Sequence, residues 1–129
     1  MKRCLVLLLF AGAMSFGAQA FAHHSFAATY MEDQEISIEG ELLNFIYRNP
    51  HSFVNVMARE PQTKDTVRWA VEWGGGGQLG QQGVTKETLK PGDHVVITGS
   101  PGRNASDHRL RLHTIFRPKD GWRWGGVID

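Results

Sequence analysis

Arg48-Asn49-Pro50-His51 separates the two longest strand-like runs of the chain, 36–47 and 52–59. Proline cannot donate to a sheet ladder, and it moves the residue before it out of the helical region. Both runs must therefore end here and turn. A turn between two strands, carrying an arginine, an asparagine and a histidine, is the first unit that the sequence predicts.

Alternation of apolar residues with their neighbours predicts five strands, at 35–47, 53–58, 66–73, 94–99 and 109–115. The first changes phase after Leu42, to Leu43, Phe45 and Tyr47. Because Gly40 lies beside this change, we expect a bulge or a sharp bend, as in a strand that serves two sides of a small barrel.

Three strands, a short helical turn at 78–82 that Gly83 would close, and two more strands are the element order of the Greek-key barrel called the OB-fold. We therefore predict an all-β, five-stranded, OB-fold-like barrel with a short helical turn between strands 3 and 4. A small β-sandwich is the rival fold, and five strands are few for it. The predicted core residues are Ile38, Leu42, Val54, Val56, Val67, Trp69, Val71, Val95, Ile97, Leu110 and Leu112.

The first 22 residues have the order of a secretory signal peptide. Two positive residues precede an apolar run, and small residues follow it: Lys2 and Arg3, then 5–14, then Ala18, Ala20 and Ala22. The run is shorter than the roughly 20 residues of a membrane-spanning helix. We expect a periplasmic or secreted protein with no stable membrane insertion. Cleavage after Ala22 would leave His23 first, and cleavage after Ala20 would leave Phe21 first.

Four segments follow from this reading: a signal peptide at 1–22, an N-terminal arm at 23–34, the barrel at 35–117 and a C-terminal tail at 118–129. The arm either docks through Phe26 and Tyr30 or stays free for a ligand. The tail, with Trp122 and Trp124, would add a short hairpin lid.

Composition excludes several function classes. Loss of Lys2 and Arg3 takes the basic residues from 14 to 12 against 13 acidic ones, so the net charge changes from +1 to −1. A nearly neutral protein has no broad attraction for nucleic acid, and we expect none as a partner. The only cysteine, Cys4, lies in the leader. Disulfides and thiol catalysis are therefore excluded for the processed protein.

The chain contains several short motifs: His23-His24-Ser25-Phe26, Asn49-Pro50-His51, Trp69-Ala70-Val71-Glu72, Thr85-Lys86 with Leu89-Lys90-Pro91-Gly92-Asp93, and Gly99-x-Pro101-x-Arg103. Together they resemble a family of small exported bacterial proteins known as a domain of unknown function. The resemblance covers nearly the whole processed chain. It implies export and a single β domain, and it implies no activity.

The loops of the predicted barrel offer a candidate ligand site. In an OB-fold the loops between strands 1 and 2 and between strands 4 and 5 flank the binding face. Here they are 48–52 and 100–107, and their side chains would form a donor-rich rim suited to a small anion or a sugar. The alternative is that these side chains only serve turn geometry. The candidate ligand-binding residues are Arg48, Asn49, His51, Arg103 and Asn104, with His108 beside them.

Histidines near the processed N-terminus offer a candidate metal site. An α-amine and an imidazole on His23 can chelate Cu(II), which prefers nitrogen ligands in tetragonal geometry. His24, and His51 across the barrel mouth, are the other candidate ligands. Cleavage after Ala20 would make His23 the third residue, which also binds Cu(II). Copper is thus the one candidate cofactor, against the alternative of a polar terminus with unrelated histidines elsewhere.

The sequence favours an exported binding or accessory module over an enzyme. Its partner would be a small molecule, a metal ion or an exported partner protein. There is no nucleophile elbow and no H-E-x-x-H motif, and Glu72 alone cannot form a paired-carboxylate site. The alternative from a different class is a copper-dependent redox enzyme that uses His23.

Overall fold

The computed structural model describes residues 26–126. After a helical turn at 26–29, these residues form six strands: β1 (Ile36–Ile46), β2 (Phe53–Arg59), β3 (Thr66–Glu72), β4 (His94–Pro101), β5 (Arg109–Arg117) and β6 (Trp122–Trp124). The helix α1 (Gly76–Gln81) lies between β3 and β4, and a 3₁₀ turn, Ala105–Asp107, precedes β5.

Strands β1 to β5 close into a mixed barrel. The sheet runs in the order β3-β2-β1-β4-β5, and a parallel pairing of β3 with β5 joins its two ends. In that pairing Ala70 is opposite Arg109, and Glu72 is opposite Arg111. The predicted all-β, OB-fold-like barrel with a short helix between strands 3 and 4 is confirmed. Strand β6 pairs with β5 as an additional hairpin.

β1 bends so that it can pair on both edges. Its first half pairs with β4 over 36–41, and its second half pairs with β2 over 40–46. The register shifts between Leu42 and Asn44, which confirms the predicted bulge. A Cβ at Gly40 would lie 1.9 Å from the carbonyl oxygen of Met57, so only glycine lets the strands approach this closely. Leu43 sits at the bulge and is 39% exposed.

The core fills the interior of the barrel. Every predicted core residue is buried except Val67, which is half-buried, and Trp69 is 4% exposed. Further members come from outside the five predicted strands: Tyr30 of the arm, then Leu79, Val84 and Leu89 of the segment between β3 and β4. These residues cover ends of the barrel that strand alternation does not describe.

α1 starts against the turn between β1 and β2. A Cβ at Gly75 would lie 2.6 Å from the carbonyl oxygen of Pro50, and the hydroxyl of Tyr47 lies 2.6 Å from the carbonyl oxygen of Gly76. The run of glycines therefore allows close packing. Gly83 follows α1 with φ +81°, the conformation that ends helices at glycine, as predicted.

Other predictions concern residues outside those described. The leader at 1–22 and the candidate metal ligands His23 and His24 lie there. Among residues 26–126, no helix has the length and apolar character needed to cross a membrane.

Candidate functional site

The arm lies against the loop between β4 and β5. Tyr30 forms a β-bridge with Gly102, and the backbone N–H of Arg103 donates to the carbonyl oxygen of Thr29 at 2.9 Å. The guanidinium Nε of Arg103 donates to the carbonyl oxygen of Ala27 at 2.7 Å. One side of the mouth is therefore closed by backbone contacts that do not depend on a ligand.

On its other side the arm contacts the turn between β1 and β2. The ring of Phe26 stacks on the imidazole of His51, with centroids 5.3 Å apart and planes at 25°. The guanidinium carbon of Arg111 lies 4.0 Å from the centroid of the same phenyl ring. Arg111 also donates from Nη1 to Oε1 of Glu32, near the end of the arm, at 2.6 Å. Phe26 thus connects the β1–β2 turn to β5.

The turn that carries His51 is fixed to the end of β3. The backbone N–H of Ser52 donates to the carbonyl oxygen of Gly74 at 3.0 Å, and the N–H of Trp73 donates back to Ser52 at 2.8 Å. The buried hydroxyl of Ser52 also donates to the carbonyl oxygen of Arg48 at 3.1 Å. This backbone framework sets where the His51 side chain can point.

A buried carboxylate orients that side chain. Glu72 is 8% exposed, and its Oε1 lies 2.6 Å from Nδ1 of His51. Its Oε2 accepts a hydrogen bond from the hydroxyl of Tyr30, and Arg109 Nη2 lies 3.5 Å from the same oxygen. Since a carboxylate only accepts, we assign the proton of the neutral imidazole to Nδ1. Nε2 of His51 then carries a lone pair, and none of residues 26–126 forms a hydrogen bond to it.

Tyr30 remains a hydrogen-bond donor over a wide pH range. Burial, and then the hydrogen bond to Glu72, raise the pKa of its phenol well above the ordinary value. The nearby charge of Arg109 opposes the shift without cancelling it. The arm is therefore attached to Glu72 by a phenol that keeps its proton at neutral and moderately alkaline pH.

A cleft of about 310 Å³ opens beside His51. Its aromatic walls are Phe26, Trp73 and Trp124, and Glu72 and Arg111 also line it. Trp73 packs edge-to-face on Trp124, with centroids 5.0 Å apart. The buried indole Nε1 of Trp73 has no hydrogen-bond partner among the described residues. The cleft therefore combines flat apolar walls with a few polar atoms, as small-molecule sites do.

Of the predicted ligand-binding residues in the β1–β2 turn, His51 lines this cleft, together with Pro50. Arg48 is exposed and donates from Nε to the carbonyl oxygen of His51 at 3.3 Å. Asn49 accepts a hydrogen bond from the backbone N–H of Gly77 at 3.1 Å, which helps to start α1. The side chains of Arg48 and Asn49 thus form hydrogen bonds with backbone atoms.

The predicted residues of the β4–β5 loop are used differently. Arg103 holds the arm, as described, and Asn104 accepts from the backbone N–H of Ser106 at 3.2 Å to cap the 3₁₀ turn. Asn104 lines a second cavity of about 170 Å³ with Trp69 and Arg109. The structure therefore does not gather the two loops into one donor-rich rim.

Within residues 26–126 no group of three His, Cys, Asp or Glu side chains is placed to hold a metal ion. His51 is the one predicted ligand in this part of the chain, and the other two lie outside it. His94 pairs with Glu39 at 2.8 Å on the surface, and His108 packs edge-to-face on Trp69.

One constellation that the sequence did not reveal resembles a hydrolase triad. Nε2 of His113 lies 2.9 Å from Oγ of Ser100, and Nδ1 lies 2.7 Å from Oε2 of Glu35. A serine nucleophile must reach its substrate, and Ser100 is 1% exposed. We therefore assign these contacts a structural role, in which they attach the start of β1 to β4 and β5.

Comparison with known proteins gives a family. Residues 12–111 match the group described as Family of unknown function (DUF6152). The chain belongs to this family. No curated protein gives a significant match. The DUF6152 match spans the cleft residues Phe26, His51, Glu72, Trp73 and Arg111 and stops before β6.

Sequence reasoning on this DUF6152 chain missed most of the cleft. It treated Glu72 only as a lone carboxylate and did not single out Arg111. The parallel pairing of β3 with β5, which places Glu72 opposite Arg111, is the signal that would have connected them.

Proposed function

We propose that this chain is an exported binding module whose ligand sits in the barrel-mouth cleft and bonds to Nε2 of His51. One observation carries the proposal: a buried glutamate holds Nδ1 of His51 and so leaves the other ring nitrogen with a free lone pair beside a cleft. A fixed imidazole needs less ordering when a ligand binds, which favours affinity.

The cleft fits binding better than catalysis. Its volume of about 310 Å³ lies at the lower end of the range for small-molecule sites. His51 and Glu72 form a base and its orienting group, but the described residues that line the cleft include no nucleophile beside them. The aromatic walls supply contact area, and the polar atoms supply orientation.

Two kinds of ligand satisfy a lone pair on imidazole. The first is an N–H or O–H group of a small molecule. The second is a metal ion, and a histidine ligand commonly donates its other ring nitrogen to a carboxylate, as His51 does to Glu72. The proposed module therefore takes either a small molecule with a donor group or a metal ion.

A specific observation favours a second candidate, a copper-dependent redox enzyme that uses His23. Phe26 stacks on His51, and His24 precedes Phe26 by two residues. The candidate nitrogen ligands of the arm thus lie within three residues in sequence of a side chain that contacts His51.

A ligand screen by thermal shift tests the proposed module, on the processed protein and with Cu(II), Zn(II) and small polar compounds included. At least one probe should raise the melting temperature of the wild type, and His51→Ala should abolish that rise. His94→Ala is the matched control, since His94 also pairs with a glutamate but does not line the cleft. Equal responses of the two variants would overturn the proposed site.

The copper candidate has its own test. The intact mass of the exported protein establishes whether His23 is the first residue, and a start at Ala27 or later removes both arm histidines. Copper titration against a weak chelator should then show roughly tenfold or greater loss of affinity in His51→Ala. One extra residue before His23 should weaken binding at least as much. Equal affinity in all three proteins would mean adventitious copper only.

A further inference from the structure

The cleft is built around flat rings. Three of its walls are aromatic, and Trp73 and Trp124 meet edge-to-face at 76°. The chain's own Phe26 shows how a ring is accepted here, because it lies nearly parallel to the imidazole of His51 and under the guanidinium of Arg111. The aromatic ring of a ligand in the cleft would find the same kinds of surface, namely flat rings and a guanidinium group.

The polar groups of the cleft point to a neutral ligand. The charge of Glu72 is balanced by Arg109, and that of Arg111 is balanced by Glu32. With Nδ1 bonded to Glu72, neutral His51 offers an acceptor at Nε2. No net charge is therefore left to select a strong anion or cation, whereas an acceptor remains that needs a donor.

Donor groups are also present for a ligand oxygen. Arg111 uses Nη1 for Glu32, and its other guanidinium nitrogens have no partner among residues 26–126. A carbonyl group on the ligand would accept a hydrogen bond from one of these guanidinium nitrogens.

We propose that the ligand of the cleft is a neutral planar aromatic molecule that carries a hydroxyl or ring N–H and a carbonyl. Its donor bonds to Nε2 of His51, its ring packs against Phe26 and Trp73, and its carbonyl faces Arg111. A dry cavity of about 150 Å³ takes benzene, so a cleft of about 310 Å³ has room for a substituted ring. This inference rests on the proposed binding module and names its ligand class.

Isothermal titration of the processed protein with 4-hydroxybenzamide and 4-methoxybenzamide tests the donor. The two probes share ring and carbonyl, and the methoxy compound has a methyl group in place of the hydroxyl proton. 4-Hydroxybenzamide should bind about tenfold more tightly than 4-methoxybenzamide, both to the wild type and to His94→Ala. In His51→Ala, and in His51→Asn, which keeps a donor for Glu72, the two affinities should agree within about twofold.

A second pair of probes tests the ring. Benzamide should bind about tenfold more tightly than cyclohexanecarboxamide, which has the same carbonyl but no flat face. Equal affinities within either pair for the wild type would overturn this inference. If the amides fail while a metal ion or another compound binds in a His51-dependent way, this inference falls and the proposed module stands. If no probe binds at His51, both fall.

Discussion

Nδ1 of His51 lies 2.6 Å from Oε1 of Glu72, which sets a half-exposed imidazole against a buried carboxylate. The same carboxylate accepts from Tyr30 of the arm and pairs with Arg109 of β5. Glu72 therefore connects the arm, the β1–β2 turn and the parallel strand pair that closes the barrel. Substitution of Glu72 should affect both the orientation of His51 and the attachment of the arm.

Glu72→Gln should release the tautomer of His51. An amide can either accept from or donate to Nδ1, so it no longer fixes the ring proton. The ¹⁵N shifts of the imidazole should show a protonated Nδ1 in the wild type and a mixture in the variant. Glu39→Gln, which changes the exposed partner of His94, is the control and should leave His51 unchanged. Identical His51 shifts in wild type and Glu72→Gln would contradict the assignment.

Tyr30→Phe should lower the free energy of unfolding at neutral pH by ~1–3 kcal/mol. The phenol is buried and donates to a buried carboxylate, so its removal leaves a polar atom less satisfied. Urea titration followed by tryptophan fluorescence gives the difference. A change below a few tenths of a kcal/mol would show that the arm is not held through this contact.

Tyr30→Phe should also change how the free energy of unfolding falls at alkaline pH. Burial, then Glu72, raise the pKa of Tyr30 in the folded state, so the folded protein keeps this proton longer than the unfolded chain does. The stability that Tyr30 contributes is fully present and independent of pH well below the unfolded pKa of about 10, and it decreases as pH rises above that value. Urea midpoints between about pH 9 and 11 should therefore fall less steeply for Tyr30→Phe. Parallel curves of urea midpoint against pH for the two proteins would exclude the raised pKa of Tyr30. Any contribution of Tyr47 cancels, because both proteins contain it.

Gly40→Ala should be poorly tolerated, whereas Gly77→Ala should not. A Cβ at Gly40 would lie 1.9 Å from the backbone oxygen of Met57, but at Gly77 the nearest atom, on Asn49, is 3.7 Å away. Gly77 lies in α1, where alanine is favoured by about 0.5–1 kcal/mol. Thermal denaturation should show a large loss for the first variant and no loss or a small gain for the second. A Gly40→Ala protein as stable as wild type would mean that β1 and β2 separate without cost.

Trp69→Ala should lower the free energy of unfolding by ~3–5 kcal/mol, since the side chain is 4% exposed in the core. Leu43→Ala is the control, because Leu43 is 39% exposed at the bulge and should change stability by less than about 0.5 kcal/mol. Chemical denaturation measures both. Similar losses in the two variants would contradict the placement of the core.

The fold could be predicted because its signals are local. Alternation places each strand, and the helical turn between the third and fourth strands fits the element order of a barrel. The phase change predicted a bulge, but alternation alone does not show which residue the bulge leaves unpaired; in the structure that residue is Leu43.

The candidate site was predicted only at His51. Glu72, Trp73 and Arg111 come together through a pairing between distant strands, which no local pattern reports. Arg103 and Asn104 were expected to face a ligand, but Arg103 donates to the carbonyl oxygen of Ala27 and Asn104 accepts from the backbone N–H of Ser106. Arg103 binds a backbone carbonyl because the arm docks on its loop, and the sequence of the loop does not report that docking.

Phe26 and Trp124 line the same cleft, so the chain enters and leaves the described domain beside one opening. An affinity tag or fusion partner at either end would be attached within a few residues of Phe26 or Trp124 and would compete with a ligand for the cleft. Probes are better attached on a loop. Because the only cysteine, Cys4, lies in the predicted leader, Lys64→Cys would give the processed protein a single thiol on the exposed loop between β2 and β3. Immobilisation through that thiol leaves both chain ends and the opening free for binding measurements.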